Sequence, residues 1–224
     1  MDIQKYKSIT LADWQKEYKP VEELIINASS TDQKDYWREW TIGMGYNYVH
    51  NFEKGEKSFL PDQRTAGAIQ IGQHDCTVLC AFWSNSDKKR REHSKINRQV
   101  VMKNLSKNSI LNLSLSPGDY FNRLSEYKFV VSPEGFGIDC HRHYEALIAG
   151  SIPIVEKNSL TQKKYENMPV LYSNDYSEIT EEYLLEKYDE MLHKKYDFSK
   201  LFLSNYDRET QEEIKKSGNF WVNR

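Results

Sequence analysis

The sequence predicts an α/β fold, a doubly wound parallel sheet over residues 76–224, behind a less regular region over residues 1–75. Two observations predict it. From Cys76 onward, short apolar runs alternate with amphipathic stretches, the spacing that strand–helix–strand units require. The apolar runs are also continuous, as in strands buried on both faces.

Taken in order, CTVLCAFW (76–83) is the first such run, followed by a polar loop, SNSDKKRREHSK (84–95). INRQVVMKNL (96–105) reads as a helix, SILNLSLS (109–116) as a second strand and GDYFNRLSEY (118–127) as a short helix. YKFVVS (127–132) is a third strand, and DCHRHYEALIAG (139–150) a helix closed by Gly150. SIPIVE (151–156), LTQKKYEN (160–167) and MPVLYS (168–173) give a strand, a helix and a fifth strand. ITEEYLLEKYDEMLHKK (179–195) is a long amphipathic helix, and residues 199–221 hold one or two more. In the first region, WQKEYKPVEELII (14–26) suggests a short helix after Pro20, and the aromatic, glycine-punctuated text beyond it reads as loops with short elements.

Composition narrows the function classes. Hydrophobic residues are only 38% of the 224, but 15 Tyr, 9 Phe and 5 Trp supply large side chains that fill a core with few positions. The formal charge of −2 disfavours a general nucleic-acid binder. No run approaches the roughly 18 apolar residues of a membrane span, and the first twenty residues carry no apolar leader, so the expectation is a cytoplasmic protein. Three scattered cysteines, Cys76, Cys80 and Cys140, fit reduced thiols.

The segment that carries chemistry runs from Tyr127 to Glu156. Ser132-Pro133-Glu134-Gly135-Phe136-Gly137 makes a tight turn at the carboxyl end of a strand, where ligands of parallel sheets bind. Asp139 is expected to cap the next helix. At about 100° per residue, Cys140, Tyr144, Leu147 and Ile148 share the side that packs on the sheet. His141, Arg142 and Glu145 fall on the other side. A His and an Arg beside free backbone N–H groups favour a diphosphate, and Glu145, one turn deeper, suits a ribose diol. Two plainer readings stand beside this: Arg142 and Glu145 as an i, i+3 surface ion pair, and Cys140, His141 and His143 as metal ligands. Helical geometry opposes the metal reading, because the two histidines point about 200° apart.

Across these residues the segment resembles the signature of exostosin-like glycosyltransferases, S-P-x-G-x-G-x-D-x-H-R-x-x-E-A-L-x-x-G-x-I-P-I-V. It is matched by Ser132, Pro133, Gly135, Gly137, Asp139, His141, Arg142, Glu145, Ala146, Leu147, Gly150, Ile152, Pro153, Ile154 and Val155. The resemblance implies a GT-B-like arrangement. Residues 76–224 would form the Rossmann-type domain binding a UDP- or GDP-sugar as cosubstrate, and residues 1–75 a reduced acceptor-side domain. It also implies inverting transfer to a glycan or glycolipid acceptor, with no cofactor or metal required. Glu145 would hold the ribose, and His141 and Arg142 would lie near the diphosphate, with Ser132, Glu134, Gly135 and Gly137 forming the adjoining turn. Similarity to related donor domains adds Ser84, Asn85 and Arg98 at the diphosphate, the last opposing charge on the leaving group.

Inversion also needs a general base. His50, Glu53, Asp62 and Asp75 are candidates, with Asp139 a further one that could orient His141 or touch the donor sugar. The chain departs from the Golgi members of the family in showing no membrane anchor and an N-terminal portion about half the expected size, which suggests a microbial or viral relative. A degenerate, non-catalytic nucleotide- or glycan-binding module and a metal-dependent hydrolase are the competing readings. Oligomeric state is not encoded in these patterns.

Overall fold

The computed structural model describes residues 24–25, 38–45, 69–72, 74–91 and 96–217. Four parallel strands form one sheet in the order β1 (Cys76–Leu79), β2 (Tyr127–Val131), β3 (Ile152–Glu156) and β4 (Leu171–Ser173). Six α-helices lie among the described residues: α1 (Arg98–Lys107), α2 (Pro117–Leu124), α3 (His141–Ile148), α4 (Ser159–Lys164), α5 (Glu181–Leu192) and α6 (Arg208–Ser217). The register pairs Phe129 with both Val78 and Ile152, and Ile154 with both Val131 and Leu171, so the carboxyl ends of the strands form one edge.

Strand alternation distributes the core over two faces. Leu79, Val130 and Val155 pack with Tyr120, Phe121 and Leu124 of α2 and with Tyr144, Leu147 and Ile148 of α3. Phe129, Val131, Ile152, Ile154 and Leu171 pack on the other face with Val101 and Leu105 of α1 and with Leu184, Tyr188 and Met191 of α5. Helices on both faces leave Phe129, Val130 and Val131 without exposure, and each such side chain stabilises the fold by about 1.5–3 kcal/mol relative to exposure. This is why the runs are continuously apolar, and it agrees with a Rossmann-like domain.

Local signals set the helix starts. Asn97 accepts from the N–H groups of Gln99 and Val100 at α1, Ser116 from Asp119 N–H at α2, and Thr180 from Tyr183 N–H at α5. Gly150 ends α3 as expected, with φ +76°, where a Cβ would lie 2.9 Å from the Gln70 carbonyl oxygen.

Three expectations need correction. SILNLSLS forms no strand among the described ladders. Leu113 N–H donates to the Cys80 carbonyl, but the Asn112 side-chain amide takes both backbone groups of Phe82, accepting at 2.9 Å and donating at 3.0 Å. A side chain thus replaces the next rung, and the segment hangs on the end of β1 without extending the sheet. Second, the N-cap of α3 is Cys140, not Asp139, and it makes no side-chain capping bond. Third, Leu24 pairs with Phe202 in an isolated antiparallel bridge, so the short helix expected after Pro20 does not run through Leu24; apart from Leu24 and Ile25, that stretch lies outside the described residues.

The tail expected to be helical begins with two 3-10 turns, Ser199–Leu201 and Leu203–Asn205, before α6. Most of 1–75 lies outside the described residues. Its described pieces pack on the α/β core: Leu24, Ile42, Met44 and Ile69 join the cluster around α3, and Ile25 N–H donates to the Leu201 carbonyl at 2.9 Å.

Candidate functional site

The carboxyl edge of the sheet carries the loop after β1, the turn after β2 and the mouth of α3. Arg98, in the first turn of α1, joins the first two. It is 5% exposed, and its guanidinium donates to the carbonyls of Trp83 (2.6 Å), Pro133 (2.9 Å) and Glu134 (2.8 Å) while stacking 5.2 Å from the Phe82 ring centroid. Gly135 is required by this clamp, because a Cβ there would lie 2.9 Å from Nη2 of Arg98; Gly137 meets no such limit. Arg98 therefore shapes the edge through backbone carbonyls, with three of its donor directions spent on protein.

The loop after β1 is self-braced. Asp87 accepts from Arg98 N–H (2.8 Å) and from Arg91 (2.6 Å), and Arg91 also reaches the Ser84 carbonyl and the Asn85 side chain. Arg90 pairs with Glu134 at 2.9 Å, whereas Lys88 and Lys89 are exposed. Ser84 and Asn85 are thus at the rim, held by the loop's own arginine.

At the mouth of α3 no side chain caps the first turn, and the His143 N–H donates to the Cys140 carbonyl at 3.0 Å. Arg142 donates to the Ala81 carbonyl at the end of β1 and lies 4.7 Å over the Tyr120 ring. Glu145 is buried. Burial pushes its carboxyl up to about 7 against the pull of Arg142, and Oε1 accepts from Gly45 N–H at 3.2 Å. No direct Arg142–Glu145 ion pair is formed among the described residues. His141 Nδ1 is 2.7 Å from the Gly43 carbonyl, so it carries the proton and donates; burial lowers its pKa and favours the neutral ring. The structure thus brings His141, Arg142 and Glu145 together at one mouth, under the 43–45 segment.

Asp139 faces inward. Its carboxylate accepts from Tyr144 (2.8 Å), Tyr165 and Lys164 (2.8 Å), and the side chains of Asp139 and Lys164 are 8% and 2% exposed. Burial alone would raise its pKa; Lys164 and the Tyr165 hydroxyl outweigh that and hold it below the usual carboxylate range. His143, not His141, lies beside it, on the Ser132 carbonyl (3.0 Å) and the Tyr165 hydroxyl (2.8 Å), pushed down to about 4 by burial. With its acid turned inward, Asp139 adds no side-chain bond to the first turn of α3.

Ser132 is fully buried, and its hydroxyl has no hydrogen-bond partner among the described residues. Asp75 directly precedes β1, at the amino edge of the sheet and away from this mouth. His50, Glu53 and Asp62 lie outside the described residues. The hydrolase reading finds no support in the geometry. Cys140 is half-buried, with desolvation pushing its thiol up to about 12, the two histidines serve separate partners, and among the described residues no group of three metal-ligating side chains forms.

Three groups at or beneath this edge were missed by sequence reasoning. Glu156 ends β3 with its carboxyl pushed up to about 7 by burial and by Glu134, and accepts from Glu134 N–H at 3.0 Å; its position at a strand's carboxyl end was the available signal. Lys164 and Tyr120 carried none.

The comparison with known families now bears on this edge. The family model of the RXYLT1 C-terminal domain matches residues 61–217, a span that takes in the whole sheet and the α3 mouth. The chain belongs to the RXYLT1 C-terminal domain family. As a member, it is an exostosin-like glycosyltransferase relative, in agreement with the signature read around α3. No curated protein matches the sequence. Among the described residues, no helix is long and apolar enough to cross a membrane.

Proposed function

We propose that the protein transfers a sugar from a nucleoside diphosphate sugar to a glycan or glycolipid hydroxyl, with inversion and without a resident metal, in a GT-B-like arrangement. The observation that carries this is the first turn of α3, which no side chain caps. Uncapped N–H groups, the Arg142 guanidinium in the first turn and the Glu145 carboxyl one turn on are set together at the carboxyl edge of a parallel sheet. The N–H groups and guanidinium suit the diphosphate, and the carboxyl suits the ribose hydroxyls. Charge growing on the leaving diphosphate would be met by the same donors. Gly45 N–H, now on Glu145, would exchange its place with ribose as the donor enters.

The test is a thermal-shift and calorimetric screen against UDP, GDP, CMP and their sugars. A ligand at 100 times its dissociation constant raises stability by about 2.7 kcal/mol. The parent should bind a nucleoside diphosphate, and Arg142→Ala and Glu145→Ala should lose it. Unchanged binding in both variants would overturn the site. A donor-release assay then separates enzyme from binding module: binding without transfer or hydrolysis across an acceptor panel would favour the latter.

A further inference from the structure

Among the deeply buried tyrosines, hydroxyl partners are the norm. Tyr144 and Tyr165 donate to Asp139, Tyr176 to the Ile154 carbonyl and Tyr188 to the Gly72 carbonyl. Tyr120 breaks the pattern. It is 6% exposed, yet its hydroxyl has no hydrogen-bond partner among the described residues. A buried hydroxyl left unpaired is costly, so its retention calls for a reason in the fold.

Its position says for what. Tyr120 occupies the first turn of α2, which Ser116 caps and Pro117 opens. The preceding segment is tied to the end of β1 by Leu113 and Asn112, so this turn lies at the carboxyl edge. Phe121 fixes the ring edge-on at 5.2 Å, and Arg142 covers it at 4.7 Å. Arg142 and Glu145 are the charged groups that act on the phenol, and burial raises its pKa, so it remains a donor at neutral pH.

We propose that Tyr120 is a further ligand-binding residue, its hydroxyl donating beside the Arg142 guanidinium to a phosphate oxygen of the donor. A phenol donor whose ring lies under a guanidinium matches a phosphate oxygen better than a sugar hydroxyl, which would also need somewhere to donate. Glu145, on the same helix as Arg142, supplies that acceptor for the neighbouring sugar. This rests on the proposed function only in taking the phosphate to belong to a nucleoside diphosphate.

The experiment compares the parent, Tyr120→Phe and a control, Tyr183→Phe on α5 across the sheet. Calorimetry would use UDP, GDP, the nucleosides and inorganic pyrophosphate, with melting temperatures measured in parallel. Tyr120→Phe removes one oxygen that bonds to nothing in the free protein, so its melting temperature should equal or exceed the parent's. Its affinity for the diphosphates and pyrophosphate should fall on the order of tenfold, with nucleoside binding and the control unchanged. Equal phosphate affinity in parent and Tyr120→Phe would overturn the assignment, as would a lower melting temperature with affinity retained, which marks a structural hydroxyl. Loss of pyrophosphate affinity in a protein that selects no nucleotide would uphold Tyr120 and sink the nucleotide-sugar reading. A parent that binds neither would sink both.

Discussion

Replacing Lys164 by methionine should expose how Asp139 is held away from the first turn of α3. Lys164 Nζ lies 2.8 Å from Asp139, and the two side chains are 2% and 8% exposed. Removing one partner of a buried pair costs about 3–5 kcal/mol, because the other charge is left without compensation. Tyr144 and Tyr165 still donate to Asp139, so the lower end, about 3 kcal/mol, is expected at neutral pH. For a chain of this size that corresponds to roughly 6–12 °C in melting temperature. The sign with pH is the sharper test. In the parent, Asp139 titrates below its ordinary value, so its contribution is present above the unfolded pKa and lost as pH falls through the folded one. Without Lys164, burial prevails and the folded value rises above the unfolded one. The favourable state is then the protonated one, and stability is lost as pH rises through the raised value. Urea titrations followed by circular dichroism at pH 4.5 and 7.5 should therefore show a larger cost at 7.5, and adding Asp139→Asn to Lys164→Met should recover part of it. A cost below about 1 kcal/mol at pH 7.5, or equal costs at the two pH values, would refute the argument.

Two further predictions concern the same edge. Glu156 has its folded pKa raised from 4.5 to about 7, so its contribution is full below 4.5 and is lost as pH rises toward 7 and beyond; Glu156→Gln should be more stable than the parent at pH 8, on the order of 3 kcal/mol at most, with the difference shrinking at pH 5 in urea titrations. Arg98→Lys cannot span three carbonyls with one ammonium, so it should lower stability on the order of 3 kcal/mol and weaken nucleotide binding, read by denaturation and calorimetry; full stability would show that the clamp is dispensable.

Much of this edge was legible because its signals are local. The fixed spacing from Ser132 to Val155 encodes a strand, a turn, a helix and the next strand, and each piece folds on rules that reach only a few residues. Helical periodicity placed Arg142 and Glu145 together, and Gly150 announced the end of α3. The same rules misjudged SILNLSLS, because its composition suits a strand while the Asn112 amide competes for the backbone groups a ladder would use. They misjudged Asp139 for a related reason. An acid before a helix reads as a cap until a lysine and a tyrosine from another helix draw it inward.

By itself, then, the sequence determined the alternating α/β order, the two-sided burial of the strands and the residues gathered at the mouth of α3, all of which follow from short-range periodicity and turn chemistry. The tertiary structure alone decided which charges face that mouth. Lys164 and Tyr165 reach Asp139 from 25 and 26 residues away, and Gly43 and Gly45 meet His141 and Glu145 across 98 and 100. Such contacts leave no period in the chain; they exist because packing helices on both faces of one sheet desolvates the polar groups beneath them, and most of those groups are stabilised by a partner from wherever the fold brings one near.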